Sequence, residues 1–475
     1  MNIVPLTLDS KRPLVDQIVA GLRDAIDARS LRAETRLPSI RQFAQGHGVS
    51  RFTVVEAYDR LVAQGYLFSR RGSGFYVAAR STPTADSSQP CSIERAVDTA
   101  MLMRNVLASE ASSTGYGSGV LPAEWLDDEA LRRQLRALSR EPGVHLTTYG
   151  QGLGFAPLRE QLRVHLADVG IECASDQILL THGGAQALDL VIRYLLKPGD
   201  SVLVDDPGYY NLFGNLKLHG VRLLGVPRGK DGPDLAVAEQ LAREARPKAF
   251  FTQSVLHNPT GTCLTPASAF RMLQLAERHG FIIVEDDVAA DFDPGRAARL
   301  ATLDQLDRVL YLGSFSKTLS ASLRVGFLVG KREWIEELTD IKLLSDITTS
   351  EFAERVVHRL LTEGHYRRHM QRMRERLARS RDRVLRRMEH AGMEVLCEPA
   401  GGLYVWARHP AWDNAVALAN RAARDGVFLA PGSSFRPYLE ASPWLRFNIA
   451  RSDTPKLFES LARYAKETSL AASEV

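Results

Sequence analysis

Short apolar runs alternate with amphipathic stretches through the middle of the chain. The runs are three to five residues long, and the stretches between them, such as 186–196 and 267–279, have helical spacing of their apolar residues. Strands this apolar are buried on both faces, so the alternation predicts a mostly parallel α/β sheet with helices on each side. The runs lie at 178–180, 201–204, 249–251, 281–284 and 309–313.

Length and composition exclude several classes of protein. A chain of 475 residues is too long for one ordinary domain and predicts two or three. Apolar residues make up 45%, no apolar run reaches eighteen residues, and the start lacks a signal-peptide pattern, so we expect a cytoplasmic protein without a membrane span. The four cysteines, Cys91, Cys173, Cys263 and Cys397, form no CxxC pair, which is typical of free thiols and predicts no metal site.

The first 79 residues have the pattern of a winged helix-turn-helix. A helix is predicted over 13–28, and Ser39 begins a short second helix with Gln42 as its capping-box partner. Gly48 lies in a turn, Ser50 caps a third helix over 51–64, and strands at 66–68 and 75–77 flank a basic glycine turn.

Charge favours DNA as the partner of this domain. Residues 1–80 hold twelve Lys/Arg and seven Asp/Glu, a net charge of +5, whereas the whole chain has +4, which leaves −1 for the rest. On charge alone a solvated basic surface explains this equally well, but the third helix of such a fold enters the major groove. The predicted DNA-binding residues are Arg36, Ser39, Arg41, Ser50, Arg51, Phe52, Thr53, Arg70 and Arg71. Among them, Arg51 is suited to guanine, and Arg70 and Arg71 to the backbone or minor groove.

A polar, proline-punctuated segment follows, so we predict a flexible linker over 80–112 and a second domain over 113–475. After about 345 the pattern changes to a long basic helix over 366–390 and short strands near 395 and 403–406, which indicates a smaller α+β lobe. Interleaved Glu375 and Asp382 favour a solvated face for this helix over a second DNA contact.

Lys317 has the surroundings that pyridoxal 5'-phosphate requires. It follows Ser314 and Ser316 and precedes Arg324, so a lysine for Schiff-base formation lies beside hydroxyls and a guanidinium suited to a phosphate. Asp286 ends a buried strand, where ligands bind in such sheets, and suits the pyridine nitrogen. Further candidates are Gly184, Ala185 and Gln186 at a helix start for the phosphate, Tyr209 for stacking and Asn258 for the ring oxygen.

Each candidate alone has a simpler explanation, such as a turn or a surface lysine, but their order along one α/β sheet favours the cofactor. The cofactor set resembles the fold-type-I aminotransferases. Residues 12–78 resemble the GntR winged-helix regulators through Leu37-Pro38-Ser39-Ile40-Arg41, the run 48–54 and Gly72-Ser73-Gly74. Together the two halves resemble the MocR subfamily of GntR regulators.

The resemblance implies a Schiff base at Lys317 and a homodimer with its N-terminal domains swapped head to tail. It also implies that Tyr149 reaches the cofactor phosphate of the partner subunit, and that Arg446 binds the carboxylate of an amino-acid-like ligand. One position departs from the family: Ala289 replaces a tyrosine that donates to the ring oxygen. We therefore expect the Schiff base to lose its proton at higher pH than in a tyrosine-bearing relative.

Three functions remain open at this stage. The first is a regulator that binds double-stranded operator DNA and senses a small amine or amino acid through pyridoxal phosphate. The second is a working aminotransferase with an accessory DNA-binding domain. The third is an empty aminotransferase fold that serves only as a dimer scaffold. The helix-turn-helix favours the first, and the complete cofactor set keeps the second open.

Overall fold

The structure is a computed structural model and describes residues 13–27, 30, 31, 33–70, 74–78, 115–142, 144, 147–295 and 297–473. The chain divides into two compact units, residues 1–90 and 91–475. The predicted linker lies outside the described residues, so the predicted domain limits of 79 and 113 stay predictions.

Three helices and a hairpin build the first unit: α1 (Leu14–Asp27), α2 (Ile40–His47), α3 (Arg51–Ala63), β1 (Leu67–Arg70) and β2 (Gly74–Val77). The predicted caps are present, since the Ser39 and Gln42 side chains form a capping box at α2 and the Ser50 hydroxyl accepts from the backbone of Thr53. Gly48 ends α2 with φ of 67°, a left-handed conformation that glycine adopts without strain. The winged helix-turn-helix is confirmed.

An eight-stranded sheet forms the centre of the second unit, in the order β3-β10-β9-β8-β7-β4-β5-β6. The pairs among β5, β4, β7, β8 and β9 are parallel, whereas β10 runs antiparallel to both of its neighbours. The strands are β3 (Ile178–Thr181), β4 (Ser201–Asp206), β5 (Arg222–Gly229), β6 (Gly232–Pro233), β7 (Ala249–Thr252), β8 (Ile282–Asp286), β9 (Val309–Ser314) and β10 (Gly326–Val329). The prediction of a mostly parallel sheet is confirmed.

Helices cover both faces of this sheet. They are α4 (Asp128–Leu138), α5 (Ala156–Ala167), α6 (Gly183–Leu195), α7 (Tyr210–Leu218), α8 (Leu235–Ala245), α9 (Pro266–His279), α10 (Leu300–Asp304), α11 (Arg332–Asp346) and α12 (Glu351–Thr362). Alternate residues of one strand belong to different cores: Leu203 packs in the cluster that includes α5, α8, α9 and α10, and Val204 packs with α6, α7 and α11. This period of two explains the continuous apolar runs.

The long helix α13 (His365–His390) leads into a small lobe with a four-stranded antiparallel sheet, in the order β11-β12-β14-β13. The strands of the lobe are β11 (Glu394–Val395), β12 (Tyr404–Arg408), β13 (Ala430–Pro431) and β14 (Leu445–Asn448), and its helices are α14 (Ala415–Arg424), α15 (Ile449–Ser452) and α16 (Pro455–Ser473). The predicted α+β lobe is confirmed.

Two further expectations concern membrane-spanning helices and the state of the cysteines. Every helix in the described part of the chain is too short or too polar to cross a bilayer. Cys173, Cys263 and Cys397 are free thiols, as predicted, whereas Cys91 lies outside the described residues.

Candidate functional site

A cavity of about 820 Å³, measured with its open mouth, lies where the carboxyl ends of the parallel strands meet the small lobe. Ten of the twelve residues predicted to contact cofactor or effector line it. They are Gly184, Ala185, Tyr209, Asn258, Asp286, Ser314, Ser316, Lys317, Arg324 and Arg446. The topology explains this convergence, because parallel strands deliver the residues that follow them to one edge of the sheet.

Asp286 is a buried carboxyl group at the end of β8. Its Oδ2 accepts a hydrogen bond of 2.9 Å from Gln253 Nε2, and its Oδ1 has no hydrogen-bond partner among the described residues. Burial raises the pKa of Asp286 to about 6, and the Gln253 hydrogen bond only partly opposes this. A buried carboxylate with a spare oxygen is suited to a cationic N–H donor from a ligand.

Lys317 follows β9, and its amine lies close to two other polar groups of the cavity. A Cβ placed on Gly119 would lie 3.7 Å from Lys317 Nζ, Arg446 Nη2 and the Tyr404 hydroxyl alike. Tyr404 in turn donates to the carbonyl of Gly119 at 3.0 Å. A side chain at Gly119 would therefore occupy the space between the Lys317 amine and the Arg446 guanidinium. A ligand with both an amine and a carboxylate would need this space.

An anion site can form at the start of α6. The Arg324 guanidinium donates to the carbonyl of His182 at 2.8 Å and to the Ser316 hydroxyl at 3.3 Å, and the backbone of Ser316 donates to the Ser314 hydroxyl at 3.2 Å. Gly183 has φ of +73°, and a Cβ there would come within 3.0 Å of Arg324 Nη2. Helix amides, two hydroxyls and a guanidinium in one place have the chemistry of a phosphate site.

Arg446 is a buried arginine of β14, only 1% exposed. It donates to Asn258 Oδ1 at 2.8 Å and to the Gly117 carbonyl at 2.6 Å, and its guanidinium lies 4.6 Å from the Tyr404 ring centre and 4.7 Å from that of Phe435. Its Nε has no hydrogen-bond partner within the described part of the chain. These contacts fix a planar, charged fork at the cavity wall, a geometry that matches a carboxylate.

Two predicted residues do not line the cavity. Tyr149 is 78% exposed on the surface of its own chain. The Gln186 side chain accepts from the backbone of His182 at 2.6 Å and donates to Asp346 at 2.7 Å, so it connects the start of α6 to the end of α11. Ala289, the departure from the family pattern, does line the cavity.

Several residues of the cavity were not predicted from the sequence. Gln253 both supports Asp286 and accepts from the backbone of Asn258 at 2.6 Å, and Tyr404 and Gly119 close the lobe side. Gln253 directly follows β7, a position at a strand end like the one that identified Asp286 on β8. Gly119 lies in a segment without periodicity, so its sequence carries no such signal.

In the first unit, Arg36, Arg41, Arg51 and Phe52 have exposed side chains, and Phe52 is 76% exposed. The Ser39 and Ser50 hydroxyls are engaged in helix caps, and Thr53 hydrogen-bonds to the Ser50 hydroxyl at 2.8 Å. Arg70 forms an ion pair of 2.7 Å with Glu34 at the surface. Arg71 lies outside the described residues. The first turn of α3 therefore presents Arg51 and Phe52 to solvent.

Comparison with known proteins supports the assignment of both the N-terminal and the C-terminal domain. Residues 14–77 match the model of bacterial regulatory proteins of the gntR family, and residues 111–463 match aminotransferase class I and II. The uncharacterized HTH-type transcriptional regulator YdfD of Bacillus subtilis is 30% identical over 93% of both chains. The probable rhizopine catabolism regulatory protein MocR of Rhizobium meliloti is 30% identical over 92% of this chain and 90% of that protein.

Among solved structures, the α-aminoadipate aminotransferase LysN of Thermus thermophilus, complexed with N-(5'-phosphopyridoxyl)-L-leucine, matches with a TM-score of 0.71. It is 28% identical, and the match covers 77% of this chain and 95% of that one. The chain therefore belongs to the MocR-type transcriptional regulators of the GntR family, in which a DNA-binding helix-turn-helix is fused to a class I/II aminotransferase domain.

Proposed function

We propose that this regulator binds pyridoxal phosphate at Lys317 and senses a small amine or amino acid there, and that it responds at its operator DNA. The observation that carries the proposal is the meeting, around one cavity, of Lys317, the partly unpartnered Asp286, the anion site at Arg324 and the buried fork of Arg446. Asp205, Asp206 and Asp287 each form an ion pair with an arginine, whereas Asp286 forms none with an arginine among the described residues. A purely structural aminotransferase fold has no need for a buried carboxyl group in this state.

The residues present fit the cofactor. The start of α6, with Ser314, Ser316 and Arg324, would hold the phosphate, and Asp286 Oδ1 would hold the proton on the pyridine nitrogen. Tyr209 and Asn258 would contact the ring and its oxygen. When bound, pyridoxal phosphate supplies an aldehyde that condenses with primary amines and a ring that withdraws electrons.

The roles of the remaining residues follow from their chemistry. The Lys317 amine would be the covalent tether, released when a ligand amine takes its place, and Arg446 would orient the carboxylate of that ligand. A ligand with a differential affinity for two arrangements of the small lobe would shift the population between them, and this shift would reach the DNA-binding unit.

We further propose a homodimer with N-terminal units swapped head to tail and with Tyr149 directed at the partner's cofactor phosphate. The exposure of Tyr149 fits a residue that acts outside its own chain. Gly152 lies against Thr339 and Leu343 of α11. Leu344 of this helix and Ile347, directly after its last residue, are 90% and 49% exposed. Apolar side chains this exposed next to one another are typical of a surface that is covered in an assembly.

An active aminotransferase is the second candidate. It is favoured by the intact Lys317, Asp286 and Arg446 set and by the likeness to an aminotransferase whose structure contains a phosphopyridoxyl-leucine adduct. Repeated conversion of an amino acid with a 2-oxo acid would favour the enzyme. A single spectral change without turnover would favour the sensor.

Lys317→Ala tests the shared requirement of both functions. We expect the purified variant to lose the visible absorption and the borohydride-fixed label on the peptide that contains residue 317, while its circular dichroism stays that of the wild type. Lys331→Ala is the matched control, because Lys331 is partly exposed and pairs with Asp307 at the surface. Labelling that persists in Lys317→Ala, or no labelling of the wild type, would leave only the empty scaffold.

A further inference from the structure

Helix α13 concentrates positive charge to an unusual degree. Its 26 residues hold ten arginines against Glu375, Asp382 and Glu389, a net charge of +7 without the histidines. Residues 81–475 have a net charge of −1 in total, so the remainder of that part of the chain carries −8. The positive charge of α13 is therefore local, because the rest of residues 81–475 has a negative net charge.

The arginines are also ordered around the helix. At about 100° per residue, seven of them fall within an arc of about 100°, and the three acidic residues fall together beside one flank of that arc. This arginine stripe consists of Arg368, Arg372, Arg376, Arg379, Arg383, Arg386 and Arg387. It rises over roughly 29 Å along the axis. Along the sequence the acidic residues alternate with the arginines, which favours a solvated face. On the helix surface, however, the acidic residues lie beside the arginine stripe and not within it.

Little of this charge is neutralised. Arg379 and Arg386 are exposed and form no ion pair with any described residue. Arg383 pairs with Asp453 at 2.6 Å, which lies 3.6 Å from Arg387 as well. Arg372 is 3.4 Å from Asp127, and Arg376 lies 3.9 Å from the centre of the Trp125 ring. Among the described residues, two carboxylates therefore lie at ion-pair distance from the seven guanidinium groups, and the three acidic residues of the helix lie beside one flank of the stripe. Each guanidinium has five N–H donors.

We propose that the arginine stripe of α13 binds the phosphate backbone of duplex DNA, in addition to the contacts of the winged helix. Duplex DNA carries one charge per ~1.7 Å of its axis, and one helical turn is about 34 Å long, which is close to the length of the stripe. Arginine is suited to phosphate, and contacts of this kind do not read base sequence. The inference rests on the DNA-binding function of the family and extends it to the aminotransferase-like unit.

The test compares two double variants of the full chain that lose the same charge. Arg379→Ala/Arg386→Ala removes two unpaired arginines of the stripe, and Arg271→Ala/Arg367→Ala removes two exposed arginines outside it. Binding to a labelled 60-base-pair duplex of mixed sequence is measured by anisotropy across a KCl series. For the stripe variant we expect the slope of log Kobs against log salt to become shallower by up to ~1.8 per chain, with affinity falling roughly tenfold. The control should keep the wild-type slope.

Three outcomes would overturn the proposal, and they are distinguishable. Equal slopes for both double variants, with Arg51→Ala weaker than either, would confine DNA binding to the winged helix. Failure of the wild type to bind any duplex would remove the DNA-binding function as well. An unchanged DNA slope together with lost retention on poly-glutamate would assign the stripe to an acidic protein partner instead.

Discussion

Asp286→Asn in cofactor-free protein isolates the energetic role of this buried carboxyl group. The pKa of Asp286 is about 6 in the folded chain, against an ordinary value of 3.8. Because the folded value is the higher one, the folded state holds more protons between pH 4 and 6, and stability falls as pH rises through the folded pKa. Ionisation of Asp286 should therefore cost roughly 3 kcal/mol at pH 8 and roughly half of that at pH 5.

The amide of Asp286→Asn keeps an oxygen for Gln253 and carries no charge. We expect this variant to stabilise the cofactor-free protein, by roughly 1–2 kcal/mol more at pH 8 than at pH 5. Urea unfolding followed by tryptophan fluorescence measures this, because all five tryptophans lie between 125 and 444 and report on the second unit alone. The same variant should weaken binding of pyridoxal phosphate, because a neutral amide cannot balance a pyridinium charge.

Asp205→Asn is the matched control at the same edge of the sheet. Burial alone would raise the pKa of Asp205, but the Arg228 guanidinium at 3.0 Å and His257 hold it below its ordinary value. Its ionised form therefore stabilises the fold, and this contribution is complete above the unfolded pKa of 3.8, so the variant should be destabilised by a similar amount at pH 8 and pH 5. If the two variants show the same dependence on pH, or if Asp286→Asn is destabilised at pH 8, the interpretation of Asp286 as a carboxylate that destabilises the cofactor-free fold is wrong.

The remaining predictions concern DNA and the ring oxygen. Arg51→Ala should weaken operator binding by about 1–3 kcal/mol at physiological salt and leave cofactor binding unchanged, as measured by anisotropy and absorbance. Normal operator binding by this variant would show that the first turn of α3 does not read the bases. Ala289→Tyr should lower the pH at which the visible absorption of the bound cofactor titrates, since it restores a hydrogen-bond donor. An equal or higher midpoint would refute the expected effect of Ala289.

The sequence predicted those features that have a local or periodic cause. The caps at Ser39 and Ser50 are local hydrogen bonds, so the helix-turn-helix followed directly from them. The position of Asp286 followed from the end of a buried strand, and that of Ser314 from its place beside Lys317. Strand β10 was missed, because its antiparallel place between β3 and β9 is decided by tertiary pairing and not by its four residues.

The cavity wall on the lobe side could not be predicted for a similar reason. Gly117 and Gly119 come from an irregular segment more than 280 residues from Tyr404 and Arg446, and only the folded chain brings these groups within hydrogen-bonding distance. Conversely, Gln186 was expected near the phosphate from its place at the start of α6, but its side chain binds Asp346.

The hydrogen bond between Arg446 and Asn258 spans the two parts of the second unit, since one residue belongs to the small lobe and the other follows β7. The guanidinium of Arg446 has five N–H donors, so a carboxylate at the cavity wall would add contacts to those with Asn258 and the Gly117 carbonyl. A ligand with an amine and a carboxylate would then contact the large sheet through Lys317 and the small lobe through Arg446, whereas an amine without a carboxylate would reach Lys317 alone. The chain would thereby respond differently to amino acids and to simple amines, because only amino acids would connect both parts of the second unit.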